Sequence, residues 1–341
     1  MHTFPPSGKR SRACAGLAGA AAVACALALL FGSSAGARTA PAPRARAASS
    51  FLTGIGDEHT EMFANPLYLQ LHTRIARLIV AYDVVKHPWW LQQAAAWIHD
   101  AEVDHVQVLV AFYHSEYTPT VLPSVATYQK DVAAFIRLFP HVRQYEAYDE
   151  ANRGNEYRVF SSPSATLNAR YYQALLRDCR TCNVVGLDVL DAANIEPTLA
   201  YIYEFKREIY RLKTIMPSIW GLHNYSDVNR FETWRTRDIV NALGGQVWLT
   251  ETGGIVQFGG DFPNRHGAGL SRAARALKLM FGIASSDGRI KRLYIFDWTG
   301  GTARTRFDAG LTDAHDRPRP GYVVVCRALH AAHCDVKTSS Q

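Results

Sequence analysis

Short apolar runs alternate with amphipathic segments along most of the chain. Eight runs are rich in β-branched and aromatic residues, as the buried strands of parallel sheets are. Their first residues are Phe51, Ala76, His105, Val142, Asn183, Ile219, Gln246 and Arg292. The segments between them carry apolar residues at three- and four-residue spacing, which predicts helices. Ser124 is placed to cap the helix predicted over residues 124–139.

This alternation predicts an α/β fold. Eight strands separated by helices over about 280 residues favour a (β/α)8 TIM barrel. An open doubly wound sheet is the alternative, but no glycine-rich phosphate loop follows the first predicted strand, which disfavours that sheet. The helical segment after the first strand, residues 65–73, is short and is the weakest unit of the pattern.

The N-terminal segment has the three parts of a secretory signal. A positively charged stretch precedes an apolar run, and Ala35 and Ala37 then form an Ala-x-Ala cleavage site. The alternative is a retained membrane anchor, since the apolar run approaches the length that spans a bilayer. We expect a signal peptide, a flexible Pro/Ala linker and a single catalytic domain, over residues 1–37, 38–50 and 51–341 respectively.

The net charge of +7 at pH 7 arises largely in this N-terminal segment. Six basic residues lie in the first fifty positions: Lys9, Arg10, Arg12, Arg38, Arg44 and Arg46. The remaining chain has no basic stripe, so we expect no nucleic-acid partner. We also expect no membrane association of the mature form unless the N-terminal segment is retained.

Four cysteines follow the predicted signal peptide: Cys179, Cys182, Cys326 and Cys334. An even number of cysteines in an exported chain predicts disulfides. The local pairs Cys179–Cys182 and Cys326–Cys334 are the favoured pairing. A redox or zinc site at "CRTC" is disfavoured, because a single such motif lacks a second ligand pair.

Two acidic residues lie where predicted strands leave the core. Glu251 ends the seventh strand, and Glu150 follows the end of the fourth, directly after Asp149. In a (β/α)8 barrel the carboxyl ends of the strands carry the active site. Two carboxylates that meet there suit glycoside hydrolysis, which needs one protonated and one ionised acid. The alternative for each residue is an ordinary surface acid.

The motifs around these acids resemble those of the clan A glycoside hydrolases, which are retaining (β/α)8 enzymes. "YDEAN" at residues 148–152 is similar to the Trp-Asn-Glu-Pro-Asn that ends their fourth strand, and "TETGG" at 250–254 is similar to the motif ending their seventh. The resemblance implies that Glu150 is the acid/base and Glu251 the nucleophile. Asn152, within the first motif, is expected to bind substrate.

Three further stretches extend this resemblance. "HNY", at the end of the sixth strand, implies that His223 and Tyr225 belong to the site, with Tyr225 orienting the nucleophile. "FDW", at the end of the eighth, implies that Trp298 stacks on the sugar. "ARLIV" implies that Arg77 lies near both carboxylates. The alternatives are core positions for the histidine and the aromatics, and an ion pair with Asp83 for Arg77.

The chain departs from the family motif at two positions. Asp149 stands where the family has an asparagine whose amide donates to the sugar, and an ionised carboxylate can only accept. The charge of Asp149 is expected to raise the pKa of Glu150. Asp149 is also expected to bind substrate. Ala151 replaces the proline of the motif.

No metal or other cofactor is expected. The acidic stretch after the first strand, residues 56–63, lacks a defined ligand spacing. The sequence therefore predicts a secreted retaining glycoside hydrolase whose partner is a carbohydrate substrate. The alternatives are an inactive carbohydrate-binding barrel, which the Asn-to-Asp change would favour, and a membrane-anchored structural protein of the cell envelope.

Overall fold

The computed structural model describes residues 51–154, 161–302 and 304–339. The predicted signal peptide and linker lie outside these residues. The strands are β1 Leu52–Gly56, β2 Ile75–Ala81, β3 Gln107–Tyr113, β4 Gln144–Glu146, β5 Asn183–Leu190, β6 Ile219–His223, β7 Gln246–Thr252, β8 Gln257–Phe258, β9 Ile290–Phe296 and β10 Phe307–Asp308. The helices are α1 Glu61–Ala64, α2 Pro66–Leu69, α3 Pro88–Val103, α4 Val125–Leu138, α5 Ala165–Asp178, α6 Glu196–Arg211, α7 Tyr225–Arg230, α8 Trp234–Leu243, α9 Ala268–Ser286 and α10 Pro320–Ala328.

Eight of the strands form a closed parallel barrel. The order is β1-β2-β3-β4-β5-β6-β7-β9, and β1 pairs in parallel with β9 to close the ring. Helices follow most strands, so the predicted (β/α)8 TIM barrel is confirmed. Ser124 caps α4 as predicted, because its side chain accepts a hydrogen bond from the backbone N–H of Thr127.

The predicted helical segment at residues 65–73 forms one single-turn helix, α2, and a further single turn, α1, precedes it at the end of the acidic stretch after β1. Asn65 caps α2 by accepting from the N–H of Leu67, and Pro66 occupies the first helical position. These residues favour starting a helix, but the segment is too short to extend it.

Alternate residues of the barrel strands point inward, as the twofold period of a strand requires. Inside the barrel, one buried layer consists of Ile75, Leu109, Val185, Ile219, Trp248 and Tyr294. Two positions after Ile75 on β2, Arg77 is fully buried. Ile79, another two positions on, lines a cavity at the C-terminal ends of the strands. The apolar layer thus forms a solid floor below the charged residues of the site.

β4 is shorter than its apolar run, and β9 begins and ends two residues earlier than its run. β4 ends at Glu146, although Ala147 and Ala151 still donate hydrogen bonds to β5 and Asp149 to β3. This irregular extension places Asp149 and Glu150 at the barrel mouth. β9 ends at Phe296, so Trp298 lies beyond the strand.

The antiparallel pair of β8 and β10 lies after the ends of β7 and β9. Phe258 and Phe307 are directly opposite each other in this pair, and both line the cavity. The pair therefore supplies an aromatic wall next to the strand ends.

Two disulfides join the predicted cysteine pairs. Cys179 bonds to Cys182 after α5, with a Cα–Cα distance of 5.4 Å, and Cys326 bonds to Cys334 at 5.6 Å, which ties the C-terminal segment to α10. None of the helices in the described residues combines the length and the apolar character that crossing a bilayer requires.

Candidate active site

A cavity of about 500 Å³ opens at the C-terminal ends of the barrel strands. Its volume is typical of a small-molecule site. The lining residues include both candidate acids, Glu150 and Glu251, together with Asp149 and Tyr225. The structure therefore brings four of the predicted site residues to one cavity.

Glu251 lies in β7, one residue before its end, and is 6% exposed. Its Oε1 accepts a hydrogen bond from Arg77 Nη1 at 2.7 Å. Its Oε2 accepts one from the Tyr225 hydroxyl at 3.3 Å. Two donors from β2 and α7 thus fix the carboxylate on a rigid strand.

Arg77 connects three carboxylates below the cavity. Besides Glu251, it donates to Glu146 at 3.1 Å through Nη2 and to Asp149 through the same nitrogen. An ion pair with Asp83 is not formed, since Asp83 contacts Ser115 and His87 instead. A buried guanidinium needs such partners, because an unpaired charge in the interior is costly.

Glu150 has a left-handed backbone conformation, with φ of 42°. This conformation costs a non-glycine residue about 1 kcal/mol or more. The backbone N–H of Glu150 donates to Asp188 Oδ2 at 3.2 Å, which helps to hold the turn. The turn directs the Glu150 side chain into the cavity, where it is in reach of His223 and Arg153.

Two basic groups bind the Glu150 carboxylate. His223 Nδ1 lies 3.1 Å from Oε1, and Arg153 Nη1 donates to Oε2 at 2.6 Å. Burial raises the pKa of this carboxyl, but His223 and Arg153 outweigh burial, and the pKa lies below its ordinary value. The expectation that Asp149 raises the pKa of Glu150 is therefore wrong.

Asp149, and not Glu150, has a raised pKa. Burial raises the pKa of this carboxyl to about 7, against the favourable charge of Arg77, and the nearby charge of Glu251 adds to the increase. Near neutral pH a proton on Asp149 would turn it into a hydrogen-bond donor, as an asparagine amide is.

His223 lies between the acids of the site. Its Nε2 is 2.9 Å from Asp188 Oδ2, and its Nδ1 is 3.1 Å from Glu150 Oε1. Burial opposes protonation, but Asp188 and Glu251 outweigh it and raise the pKa of His223 well above its ordinary value. The protonated His223, in β6, therefore bridges Asp188 in β5 and the carboxylate of Glu150.

The spacing of the two candidate acids follows from this histidine. Nδ1 of His223 is 3.1 Å from Glu150 Oε1 and 3.6 Å from Glu251 Oε2. These two oxygens are therefore less than about 7 Å apart, a range that admits the roughly 5–5.5 Å of a retaining pair.

Trp298 is not at the cavity, which corrects the prediction that it stacks on the sugar. It is 1% exposed and packs edge-on against Tyr68 and Tyr322. The aromatic residue that faces the cavity from this strand end is Phe296, together with Phe307. The reason is that β9 ends two residues earlier than its sequence pattern indicates.

Asn152 is also committed to structure. Its amide nitrogen donates to the Leu190 carbonyl and the Thr198 hydroxyl, both at 2.9 Å, and its Oδ1 accepts from the Leu190 N–H at 2.8 Å. It is not among the residues that line the cavity. This prediction is corrected as well: Asn152 fastens the loop of Glu150 to β5 and α6.

No protein-family model matches this sequence, and no curated protein matches it. Solved structures do match. A xylanase from Paenibacillus barcinonensis has a TM-score of 0.60 at 11% identity, covering 81% of this chain and 95% of its own. A fungal β-1,4-galactanase has a TM-score of 0.59 at 10% identity, covering 81% and 99%.

A third match is a family 39 glycoside hydrolase from Bacteroides cellulosilyticus WH2. Its TM-score is 0.51 at 13% identity, and the match covers 84% of this chain. The chain spans 64% of the length of that enzyme. The fold is that of these glycoside hydrolases. The fold expected from the resemblance to clan A enzymes is thereby confirmed, while the family stays unassigned.

Three residues of the site were missed by the sequence reasoning. Asp188 lies within an apolar run. A carboxylate in a buried strand is unusual, and this could have indicated a site residue. Phe296 ends the run beside the mistaken Trp298. Arg153, three residues after Glu150, carried no sequence signal, because its role depends on the turn at Glu150.

Two groups of buried residues have the spacing that could hold a metal ion. They are Asp149, His223 and Glu251, and Glu146, Asp149 and Asp188. Arg77 and His223 already place positive charge among these carboxylates. A divalent cation would compete with them, so we retain the prediction of no metal.

Proposed function

We propose that this chain is a retaining glycoside hydrolase with Glu251 as nucleophile and Glu150 as acid/base. The observation that carries the proposal is the pair of carboxylates from β7 and the β4 loop, which contact one histidine at a barrel-mouth cavity. The upper bound of about 7 Å between their oxygens is compatible with the roughly 5–5.5 Å that double displacement requires, which supports the proposal.

In the first step Glu251 attacks the anomeric carbon while Glu150 gives a proton to the leaving oxygen. Arg77 and the Tyr225 hydroxyl hold the nucleophile in place. In the second step Glu150, now ionised, takes a proton from water, and the water releases the sugar from Glu251. Phe296 offers an apolar face to the sugar ring.

Asp149 takes the place of the asparagine in the family motif. Below its pKa of about 7 it carries a proton that it can donate to a sugar hydroxyl. We propose that this protonated carboxyl performs the binding role of the amide. We further propose that the enzyme is exported, with the disulfides and the N-terminal sequence pattern as support.

A second candidate is carbohydrate binding without hydrolysis. The observation that favours it is the Glu150 carboxylate, since both of its oxygens contact basic groups and its pKa is lowered. An acid held ionised in this way cannot protonate a leaving group. This candidate predicts sugar affinity but no turnover.

The test uses 2,4-dinitrophenyl β-glycosides of glucose, galactose, xylose and glucuronic acid with the chain from Arg38 onward. These leaving groups need no proton, so formation of the glycosyl-enzyme requires only the nucleophile, while its hydrolysis still uses Glu150 as the base. We expect Glu251→Gln to lower kcat at least about a thousandfold. Glu150→Gln should accumulate the glycosyl-enzyme, with a mass increase on the peptide that contains Glu251.

The matched control is Glu102→Gln, an exposed glutamate of α3, which should behave as the wild type. Turnover that survives in Glu251→Gln would reject the nucleophile. Binding of a glycoside by the wild type without any turnover would favour the second candidate.

A further inference from the structure

Arg153 is placed on the leaving-group side of the proposed reaction. It donates to Glu150 Oε2 at 2.6 Å and lines the same cavity. Because Glu150 must reach the glycosidic oxygen, a residue bonded to its carboxylate lies next to the sugar that leaves. Arg153 is therefore a neighbour of the leaving sugar and not of the sugar that Glu251 attacks.

The ion pair opposes the first chemical step. A carboxylate bonded to a guanidinium stays ionised, and an ionised Glu150 has no proton to give. The pair must therefore open before the leaving oxygen is protonated. The Arg153 side chain is 27% exposed, so it can turn toward a ligand in the cavity without leaving a buried position.

A second arginine points to the charge of that ligand. Arg153 and Arg230 are the cationic residues among those that line the cavity. Arg230 lies 5.3 Å from the centre of the Phe262 ring, and no ion pair of Arg230 is found within the described ranges. Asp261 is the exposed acid of the same lining, whereas the carboxylate of Asp191 already accepts the N–H groups at the start of α7.

We propose that Arg153 selects a substrate whose leaving sugar carries a carboxylate, a uronate, and that this carboxylate takes Arg153 away from Glu150. The inference rests on the proposed function. The planar guanidinium matches a carboxylate with two parallel hydrogen bonds, which makes this exchange favourable. No covalent bond is involved in the exchange: one ion pair breaks and another forms.

Freed from Arg153, Glu150 binds a proton from water, and this proton passes to the glycosidic oxygen as Glu251 attacks. By withdrawing Arg153, the substrate thus allows Glu150 to become the protonated acid that the cleavage requires. Among the described residues, the charged and titratable groups around Glu150 are Tyr113, Asp149, Arg153, Asp188, His223, Tyr225 and Glu251. Of these, Arg153 is the cation that a ligand can withdraw, since its side chain is partly exposed whereas that of His223 is fully buried.

The experiment compares two disaccharides that differ only in charge. Both carry the glycone identified with the activated substrates, and the leaving sugar is glucuronate in one and its methyl ester in the other. For the wild type we expect kcat/KM to be at least about tenfold higher on the acid, the effect of one charged hydrogen-bonded pair. In Arg153→Gln the ratio should fall to about one.

The same variant should cleave the ester faster than the wild type does, and its alkaline limit should lie at higher pH, because Glu150 has lost a cation that favours its ionised form. Arg153→Lys should keep part of the preference, since a lysine retains the charge but not the planar fork. Urea unfolding and far-UV circular dichroism that match the wild type would show that both variants are folded.

The matched control is Arg211→Gln. Arg211 also pairs with a glutamate three residues away, at 2.6 Å from Glu208, but lies at the end of α6 outside the cavity. It should leave the ratio unchanged. Equal rates on the acid and the ester in the wild type, or a preference that persists in Arg153→Gln, would overturn this inference and leave the proposed function standing. A wild type that cleaves no activated glycoside would reject both.

Discussion

Arg77, in β2, donates a hydrogen bond of 2.7 Å to Glu251, in β7, from within the barrel. The same guanidinium contacts Glu146 and Asp149, so one side chain helps to position three acids. The proposed nucleophile, Glu251, is thus held by a fully buried residue of the barrel interior.

We expect Arg77→Lys to lower kcat about ten- to a hundredfold, because one ammonium group cannot replace the planar set of charged hydrogen bonds. The free energy of unfolding should fall by about 2–3 kcal/mol. Steady-state kinetics and urea unfolding measure the two effects. Arg292→Lys, in the interior at the start of β9, is the control and should affect stability alone. An unchanged kcat in Arg77→Lys would contradict the positioning role.

Asp149→Asn should change how stability depends on pH. The folded protein raises the pKa of Asp149 to about 7, so between pH 4 and 7 it binds a proton that the unfolded chain releases. This group therefore favours the unfolded state increasingly as the pH rises through that window. The variant lacks the effect and should gain on the order of 2–4 kcal/mol relative to the wild type from pH 4 to pH 8.

Urea unfolding at the two pH values tests this expectation. Asp104→Asn, an exposed position after α3, is the control and should differ little from the wild type at either pH. A stability difference between Asp149→Asn and the wild type that does not vary with pH would show that Asp149 stays ionised throughout.

Substitutions of Phe296 and of Trp298 should have different effects, the first mainly on substrate binding and the second mainly on stability. Phe296→Ala is expected to raise KM about tenfold through loss of the apolar face at the cavity, with a modest loss of stability because the ring is only partly buried. Trp298→Ala should cost about 3–5 kcal/mol of stability, since it empties a buried position. If Trp298→Phe, which keeps the packing better, raised KM as much as Phe296→Ala does, the assignment of the platform would be reversed.

Gly221→Ala should disturb the site from within β6. A Cβ at this position would lie 2.2 Å from Asp188 Oδ1 and 2.9 Å from Thr250 Oγ1. Asp188 would have to move, and with it His223 and the turn at Glu150. We expect a loss of about 1–3 kcal/mol in stability and a reduced kcat.

The matched control for this glycine is Gly282→Ala, within α9. No atom lies within 4 Å of a Cβ built there, so the variant should gain about 0.5–1 kcal/mol from helix propensity. Full activity in Gly221→Ala would show that Asp188 does not control the positions of His223 and Glu150.

The sequence predicted the barrel and most strand positions because apolar runs report burial directly. Asn183–Leu190 has the predicted bounds, and Glu251 lies near the end of its strand as expected. The errors lie where strands end. Trp298 and Phe296 are two residues apart, and the apolar pattern does not show at which of them the backbone leaves the ladder.

The electrostatics of the site could not be predicted from the sequence. Asp149 was expected to act on Glu150 as its neighbour in the chain, but the side chains diverge: Asp149 contacts Arg77, and Glu150 contacts Arg153 and His223. The left-handed turn at Glu150 causes this divergence. The two neighbours in sequence thus pair with different arginines, although His223 lies near both, and only the fold shows which arginine each acid contacts.

The pairing of β1 with β9 has a consequence for folding during synthesis. Leu52 and Gly56 lie opposite Arg292 and Phe296, so the ring is completed by strands at nearly opposite ends of the described chain. During synthesis β1 cannot complete its pairing until β9 has been made, and contacts between strands so far apart in sequence form slowly. The ribosome must therefore synthesise everything from β1 to β9 before the barrel can close, and a chain cut off before β9 leaves β1 without a neighbour on one side.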